Sequence, residues 1–506
     1  MLSQESVQEQ KTDLFPNPTI RELNEKYRPF LALARSHALL EWDLEVNMPE
    51  KGSTSRGFIM AQLALLVQIN LANVYPTLEK AGTLTDLNDY EKGVVRMLEY
   101  HKKFFTRIPP NLLEEEQKLA VEATVVWREA RKKSDFKSFQ PLLEKMIDIK
   151  LREAEKLGYE KHPYNALLDL YEEQVTVDDM DAMFSRLIPA LKSILEKVRS
   201  ENRFVSSHPI ELESYETQSL VNVNRRLTEL LGIPKDRFRM DISTHPFMTN
   251  ISRDDVRITT RYEGKDFAKS TFGTIHESGH GIYELQIEEK LEYTPIGVAA
   301  STAFHESQSR FWENIVGRSK AFVSLVTPML KDELNFLGKY NDEELYMYFN
   351  RVRPSLIRVE ADELTYNFHT ALRYDLEKKL LAGDIRASEL PSTWNETMQD
   401  YLGVKPENDA EGVLQDIHWS GGSFGYFPTY SLGNVLAGMI WHNIRDDIEL
   451  DKTIRNGDFA PIKAWLYEKI HKYGATYPPK ELTKRSFGES FNPDRLVQYL
   501  EWKYLS

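Results

Sequence analysis

Apolar residues recur at intervals of three and four along most of the chain, the spacing of amphipathic helices. Two short segments, residues 237–242 and 255–262, alternate between apolar and polar positions and predict strands. The helical runs are residues 20–48, 56–78, 88–157, 177–198, 222–231, 271–286, 300–316, 329–350, 354–383 and 493–504. Neither an internal repeat nor a low-complexity linker divides the chain. The sequence therefore predicts a mainly α fold with a small sheet, in a single unit that spans residues 1–506.

The two predicted strands come just before the helical segment 271–286. An open strand edge beside that helix would let an extended peptide pair its backbone there by strand addition. A small structural hairpin that binds no ligand accounts for the pattern equally well, and the pattern alone leaves both open.

Composition narrows the class of protein. With 28% charged and 41% hydrophobic residues, the chain is typical of a soluble globular protein. A net charge of −14 argues against a nucleic-acid or anionic-membrane partner, because such partners bind basic surfaces. The polar N-terminus and the absence of about 18 uninterrupted apolar residues predict a cytoplasmic protein. Because the chain has no cysteine, any metal must be held by histidine and carboxylate side chains.

Segment 271–286 carries a His-Glu-x-x-His motif. Residues four apart lie on one helix face, so His276 and His280 can bind one zinc ion, and Glu277 is placed to take a proton from water at that ion. Gly279 and Gly281 each cost a helix interior about 1 kcal/mol relative to alanine, which predicts that another part of the chain approaches closely there. The alternative is a buried helix with two core histidines.

Glu306, in the predicted helix 300–316, is a candidate third ligand. Catalytic zinc sites use three protein ligands, and two histidines with one glutamate are a known set. His305 and Glu306 lie about 100° apart on a helix, so both cannot face the metal equally. The alternative is an ordinary ion pair between Glu306 and Arg310, four residues later. With the first motif present, the ligand role is favoured.

Arg358 and Asp362 are four apart in the predicted long helix 354–383. One interpretation is an ordinary ion pair on a helix face. The other is a guanidinium held in place by Asp362 so that it can bind an anion through two hydrogen bonds. The spacing alone favours neither.

Residues 412–434 predict a short helix that runs into a loop rich in glycine and aromatic residues. Such a loop is more typical of a ligand wall than of a core element. His418, Tyr426 and Tyr430 could donate hydrogen bonds to an oxyanion, although tyrosines are also common in cores.

Six motifs in this order resemble those of the carboxypeptidase Taq family of zinc carboxypeptidases. The likeness covers essentially the whole chain, and no motif departs from the family pattern. The motifs are His245-Pro246-Phe247, Asp255-x-Arg257-x-Thr259, His276-Glu277-x-x-His280, His305-Glu306-Ser307-Gln308, Ile357-Arg358-x-x-Ala361-Asp362 and Gly412-x-x-Gln415-Asp416-x-His418-Trp419.

The resemblance implies a nearly all-α fold with a deep cleft, similar to neurolysin and angiotensin-converting enzyme, and a homodimer. It implies zinc at His276, His280 and Glu306, with Glu277 as the base, and it favours substrate contacts by four further residues. We expect residues 1–110 to form a helical cap over the cleft. The four expected contacts are Arg358, Arg257, His245 and His418.

The activity that the resemblance implies is release of single C-terminal residues from peptides with broad side-chain tolerance, and we expect Arg358, or else Arg257, to bind the terminal carboxylate. Tyr430, helped by Tyr426 and His418, is expected to stabilise the oxyanion. Cobalt could replace zinc at the same ligands. Two alternatives are an oligopeptidase that cuts within short peptides and a helical scaffold whose zinc is not catalytic.

Overall fold

The structure is a computed structural model that describes residues 14–506. Nine α-helices precede the sheet within these residues and include every helical run predicted for this half of the chain. Their bounds are α1 Pro18–Val46, α2 Ser53–Ala72, α3 Tyr75–Ala81, α4 Asp89–Arg107, α5 Pro110–Lys133, α6 Phe136–Leu157, α7 Tyr164–Leu168, α8 Val177–Ser200 and α9 Thr217–Leu230.

The helices that follow the sheet hold the candidate metal ligands. α11 continues directly into a π-helical turn, Phe311–Gly317. Their bounds are α10 Phe267–Gln286, α11 Thr302–Arg310, α12 Lys320–Glu333, α13 Asp342–Phe349, α14 Tyr366–Ala382, α15 Leu390–Leu402, α16 Pro428–Asp447, α17 Leu450–Arg455, α18 Ala460–Lys469, α19 Pro479–Phe487 and α20 Pro493–Leu505.

Capping residues explain where several helices begin. At the start of α8, the side chains of Thr176 and Asp179 each accept a hydrogen bond from the other's backbone N–H, which satisfies two donors that the first turn leaves free. Asn492 caps α20 by accepting from the N–H of Asp494, with Pro493 in the first turn. This confirms the predicted start of the last helix.

The sheet has three strands, β1 Phe238–Ile242, β2 Met248–Ser252 and β3 Asp255–Thr260, in the order β1-β3-β2. β1 and β3 confirm the two predicted strands, but they pair in parallel, so the hairpin interpretation is wrong. The polar strand β2 lacks a clear alternation, escaped prediction and pairs with β3 in antiparallel fashion. β3 packs its buried face against α10.

Four predicted helical runs, 56–78, 88–157, 329–350 and 354–383, are interrupted. Residues 354–383 do not form one helix, because α14 starts only at Tyr366 and Arg358–Glu360 is a short 3₁₀ turn. Asp362 accepts hydrogen bonds from the N–H groups of Leu364 and Thr365, and thereby satisfies backbone donors in a turn before α14. Likewise, the run 329–350 is divided between α12 and α13.

One contiguous hydrophobic core extends from Phe15 to Tyr504. α16 lies inside it, against α11 on one side and α20 on the other. A side chain at Gly438 would lie 2.6 Å from the Cα atom of Leu496, so glycine allows α16 and α20 to meet backbone to backbone. This packing places α16 directly behind the helix that carries Glu306.

Helices α1 and α2 form a hairpin in which α2 packs mainly on α1. Leu71 is the one buried residue of α2, whereas Phe58 is 68% exposed and Leu65 51% exposed. The stretch Glu50–Ala81 is long and apolar enough to cross a membrane, and only 11% of its most apolar window is buried. The hairpin therefore presents an apolar face that the described chain leaves uncovered.

Candidate metal centre and active site

Helices α10 and α11 bring the three predicted ligands together. The Nε2 atoms of His276 and His280 lie 3.6 and 3.5 Å from Oε2 of Glu306. One ligand atom from each residue lies within 4.8 Å of the other two. The one-face geometry predicted from the four-residue spacing is thus present, and Glu306 reaches the same point from a second helix.

These residues fit a divalent metal ion. Tetrahedral bonds of about 2.0–2.1 Å place two ligand atoms about 3.4 Å apart, close to the two spacings above. A histidine that binds a metal normally uses its second ring nitrogen for a hydrogen bond. Here Nδ1 of His276 lies 2.9 Å from Oε2 of Glu313, and Nδ1 of His280 lies 2.5 Å from Nδ1 of His305. The arrangement leaves both Nε2 atoms directed at Glu306.

Glu306 makes the alternative ion pair as well, through its other oxygen. Nε of Arg310 donates to Oε1 at 2.6 Å, while Oε2 faces the imidazoles. Burial alone would raise the pKa of Glu306, but the charges of Arg310 and His276 hold that pKa well below its usual value. The ion pair therefore keeps the third ligand ionised and fixes its rotamer.

Glu277 is buried beside this cluster, with 7% of its surface exposed. Within residues 14–506 its carboxylate has no hydrogen bond or ion pair, so both oxygens stay available. Burial raises the pKa of Glu277 to about 7, and a cation bound at the neighbouring histidines would lower it again. A carboxylate in this state suits a group that accepts and then releases a proton.

Two glycines permit this convergence. A side chain at Gly433 of α16 would lie 2.7 Å from Cγ of Glu306, and one at Gly279 of α10 would lie 2.7 Å from Cα of Ser309. The close approach predicted from the cost of Gly279 in a helix is thus confirmed: α11 meets α10 at that residue.

Gly279→Ala should lower both the melting temperature and the affinity for metal. The new methyl group would press on Ser309 and the carbonyl of Gln308, and overpacking typically costs about 1–3 kcal/mol. Gly273→Ala is the control in the same helix, since nothing lies within 4 Å of a side chain there and alanine favours helix by about 1 kcal/mol. Thermal unfolding of both variants, with and without metal, measures the difference. Equal melting temperatures for the Gly279→Ala and Gly273→Ala variants would contradict the close-contact explanation.

A cavity of about 460 Å³ opens beside the metal cluster. Tyr426 and Tyr430 line it together with His280 and Glu306. Tyr430 lies in the first turn of α16, which begins at Pro428, so the predicted loop is shorter than expected. The two phenol rings meet edge to face at 5.2 Å, and both pKa values are raised by burial, so the hydroxyls remain donors.

His418 lies behind Tyr426 and does not line that cavity. Its ring stacks on Tyr426 at a centroid distance of 5.6 Å, and burial lowers its pKa to about 4. The neutral imidazole therefore supports the wall of the cavity.

Arg358 does not pair with Asp362, so both helix-face interpretations of that pair are wrong. Its Nε and Nη2 donate to Oδ1 of Asp416 at 3.0 and 2.9 Å, and its Nη1 donates to the hydroxyl of Tyr366 at 2.9 Å. The physical reason is that residues 354–365 form no α-helix, so the i, i+4 face does not exist. Asp362 instead accepts backbone N–H groups, including that of Arg353.

Arg257 and His245 lie at the sheet and line no part of the 460 Å³ cavity. Arg257 binds Asp255 through two hydrogen bonds of 2.7 Å, and its guanidinium stacks over the ring of Trp42 at 4.3 Å. His245 is exposed in the connection between β1 and β2. The positions of these two residues therefore give no direct support to their predicted contacts with the substrate.

Sequence reasoning missed the partners that hold the site residues in place. For one of these partners, His305, the sequence did contain a usable signal. His305 is next to the candidate ligand Glu306 on a helix, so its side chain is expected to lie beside the metal site. Nothing in the sequence paired Arg358 with a carboxylate 58 positions later. The missed partners are His305, Glu313, Glu284, Asp416, Tyr366 and Arg373.

A His-Glu-x-x-His helix, a glutamate from a second helix and a mainly helical fold define a metallopeptidase. The family model for the carboxypeptidase Taq (M32) metallopeptidases matches residues 22–504. The chain belongs to this family, and it is a metallocarboxypeptidase that uses a metal ion.

Relatives that carry carboxypeptidase names agree with this assignment. The chain is 45% identical to thermostable carboxypeptidase 1 of Pyrococcus furiosus, over 97% of this chain and 100% of the relative. It is 38% identical to carboxypeptidase 1 of Bacillus subtilis, over 92% and 94% of the two chains. The solved structure of the Pyrococcus furiosus carboxypeptidase superposes with a TM-score of 0.96 at 44% identity, over 97% of this chain and 100% of that chain.

Proposed function

We propose that the protein holds zinc at His276, His280 and Glu306 and removes single C-terminal residues from peptides with broad side-chain tolerance. The observation that carries the proposal is the convergence of these three side chains beside Glu277, whose carboxylate is buried and unpaired. Cobalt would suit the same donor atoms, since these ligands do not select zinc alone.

Glu277 serves as the general base in this proposal. When bound, zinc polarises the scissile carbonyl and lowers the pKa of a water molecule at the site. Glu277 takes a proton from that water and returns it to the leaving amine. Tyr430 and Tyr426 face the cavity beside Glu306 and donate hydrogen bonds to the developing oxyanion, while His418 supports Tyr426 from behind.

Arg358 anchors the terminal carboxylate. Arg358 and the fully buried Arg373 share one carboxylate, Asp416, so the cluster carries one uncompensated positive charge. Burying an unbalanced charge is costly, and a substrate carboxylate would balance this one. Three of the five N–H groups of Arg358 are used by Asp416 and Tyr366, which leaves one on each Nη. Its guanidinium lies 5.2 Å from the ring of Tyr430, at the wall of the cavity.

Residues 1–110 act as a cap over the cleft in this proposal. Met97 and Tyr100 of α4 line the cavity beside His280, which supports it. Arg96 of the same helix forms an ion pair with Glu173, which also lines the cavity. Residues 1–13 of the cap lie outside the described part of the chain.

The test compares an N-blocked peptide that has a free C-terminus with its C-terminally amidated form. We expect stepwise release of single residues from the free form only, loss of activity after chelation, and recovery with zinc or cobalt. Equal cleavage of both forms would favour an oligopeptidase. A protein that binds zinc at unit stoichiometry and cleaves neither peptide would favour the scaffold alternative.

A second copy of this chain covers the apolar face of α1 and α2 in the proposed homodimer. Large exposed apolar patches typically mark interaction sites. An interfacial membrane helix carries lysine and arginine on its polar face, whereas the one charged residue of α2, Arg56, is bound to Asp43 and to the carbonyl of Leu40. With the net charge of −14, this favours a protein partner and fits the predicted cytoplasmic location.

Replacing Phe58, Ile59 and Leu65 with serine should convert the dimer to a monomer without lowering the melting temperature much. These side chains are at least half exposed, so the monomer fold loses little when they change. Val121→Ser on α5, 71% exposed, is the control for an exposed apolar residue outside this hairpin. Light scattering after size exclusion measures the mass. A monomeric wild type that sediments with anionic vesicles would instead assign the face to a membrane.

A further inference from the structure

Each candidate histidine ligand has a different kind of partner at its second ring nitrogen. Nδ1 of His276 meets a carboxylate directly, at Glu313, as is usual for metal-binding histidines. Nδ1 of His280 meets another imidazole, that of His305, at 2.5 Å. A neutral imidazole has one donor and one acceptor nitrogen, so in this contact one of the two Nδ1 atoms must donate and the other must accept.

The contacts on the far side of His305 decide which of the two Nδ1 atoms donates. Its Nε2 lies 3.0 Å from Oε1 of Glu284, and a carboxylate can only accept. Nε2 of His305 therefore carries the proton, and Nδ1 is left as an acceptor. His280 then donates from its own Nδ1, which leaves its Nε2 lone pair for the metal. All the hydrogen bonds run in one direction, from His280 through His305 to Glu284.

The hydrogen-bonded series His280–His305–Glu284 is held in place at its Glu284 end. Glu284 is one helical turn beyond His280 on α10, and His305 enters between them from α11. The amide of Asn250, on strand β2, donates to the second oxygen of Glu284. Glu284 is 5% exposed, so the hydrogen bonds operate where water competes little.

We propose that His305 is a positioning residue for the metal ligand His280 and that Glu284 sets its tautomer. His305 does not bind the metal in this arrangement, because both of its ring nitrogens are already engaged. It holds the ring of His280 at one angle and keeps Nε2 of His280 free of a proton. The inference rests on the proposed metal site and extends it to residues beyond the ligands.

The experiment measures zinc affinity by competition with a chromophoric chelator, so activity is not needed. His305→Leu removes both hydrogen bonds and should weaken zinc binding about 10- to 100-fold, as is typical when the partner of a metal-binding histidine is lost. His305→Gln supplies an acceptor oxygen and a donor amide in similar positions, so it should recover most of that loss. The absorption bands of the cobalt-loaded protein should shift in the leucine variant and shift less in the glutamine variant.

A double-mutant cycle separates positioning from general damage to the fold. Glu284→Ala should also weaken binding, but the double variant with His305→Leu should bind no more weakly than His305→Leu alone, because Glu284 acts through His305. Full additivity, or a His305→Leu variant that binds zinc within twofold of the wild type, would overturn the inference. Should His305→Leu fail to fold, the glutamine and Glu284→Ala variants carry the same comparison.

The outcome for the wild type separates this inference from the proposed function. If the wild type binds no divalent metal, both the metal site and the role of His305 are wrong. If the wild type binds zinc tightly and the variants bind it equally well, the metal site stands and only the positioning role is wrong. Glu288→Gln, just beyond the end of α10, serves as the control, because its carboxylate accepts from Tyr467 and takes no part in the metal cluster, so this variant should bind zinc like the wild type.

Discussion

Glu277→Gln should lower kcat about 100- to 10,000-fold, the range that general acid-base groups contribute, while metal content stays at the level of the wild type. The amide has nearly the shape of the carboxylate but cannot accept a proton at neutral pH. Because the carboxylate of Glu277 makes no hydrogen bond or ion pair within residues 14–506, the substitution breaks neither kind of interaction. Peptide hydrolysis under saturating substrate, with metal analysis of the same samples, measures both quantities.

The control for this loss is Glu288→Gln, just beyond the end of α10, where the carboxylate accepts from the hydroxyl of Tyr467. It should hydrolyse peptides like the wild type. An active Glu277→Gln variant would remove Glu277 from the mechanism, and a variant that has lost its metal would show that Glu277 also supports the binding site.

Arg358→Ala should lower kcat/KM for peptides with a free C-terminus about 30- to 5,000-fold, and amidated peptides should remain uncleaved, as they are by the wild type. Losing one partner of a buried, hydrogen-bonded charge pair costs about 2–5 kcal/mol. The substrate carboxylate would then meet a cluster in which Arg373 is already balanced by Asp416. Steady-state kinetics on the free and amidated pair give the discrimination directly.

Arg358→Lys keeps the charge and loses the planar fork, so its kcat/KM for peptides with a free C-terminus should lie between the values for Arg358→Ala and the wild type. Arg257→Ala is the comparison that decides between the two candidate anchors. If that variant, and not Arg358→Ala, removed the discrimination, the terminal carboxylate would bind beside Trp42 at the sheet. Circular dichroism melts show whether either alanine variant is merely unfolded.

The candidate metal ligands were predictable because they depend on local periodicity. Four-residue spacing in a helix places His276 and His280 on one face whatever surrounds them. Gly279, a costly residue in a helix, marked a close approach, and α11 meets α10 there. The sequence did not show which segment approaches Gly279, because that depends on how α10 and α11 pack.

The anchor for the substrate carboxylate shows where sequence periodicity fails. The i, i+4 spacing of Arg358 and Asp362 has meaning only in a helix, and the chain there forms turns. Asp416, which does pair with Arg358, is 58 positions away. The same limit explains the sheet: alternation marks β1 and β3, but their parallel pairing depends on the path that the chain takes through β2.

By itself, the sequence determined the helical character, the small sheet, the two imidazoles on one helix face and the glutamate fit to join them, because each follows from periods of two or 3.6 residues. Only the tertiary structure decided which carboxylate holds Arg358, which imidazole holds His280, and that α2 presents an apolar face. Those contacts join segments distant along the chain, and their free energy comes from packing and from excluding water, which no local spacing records.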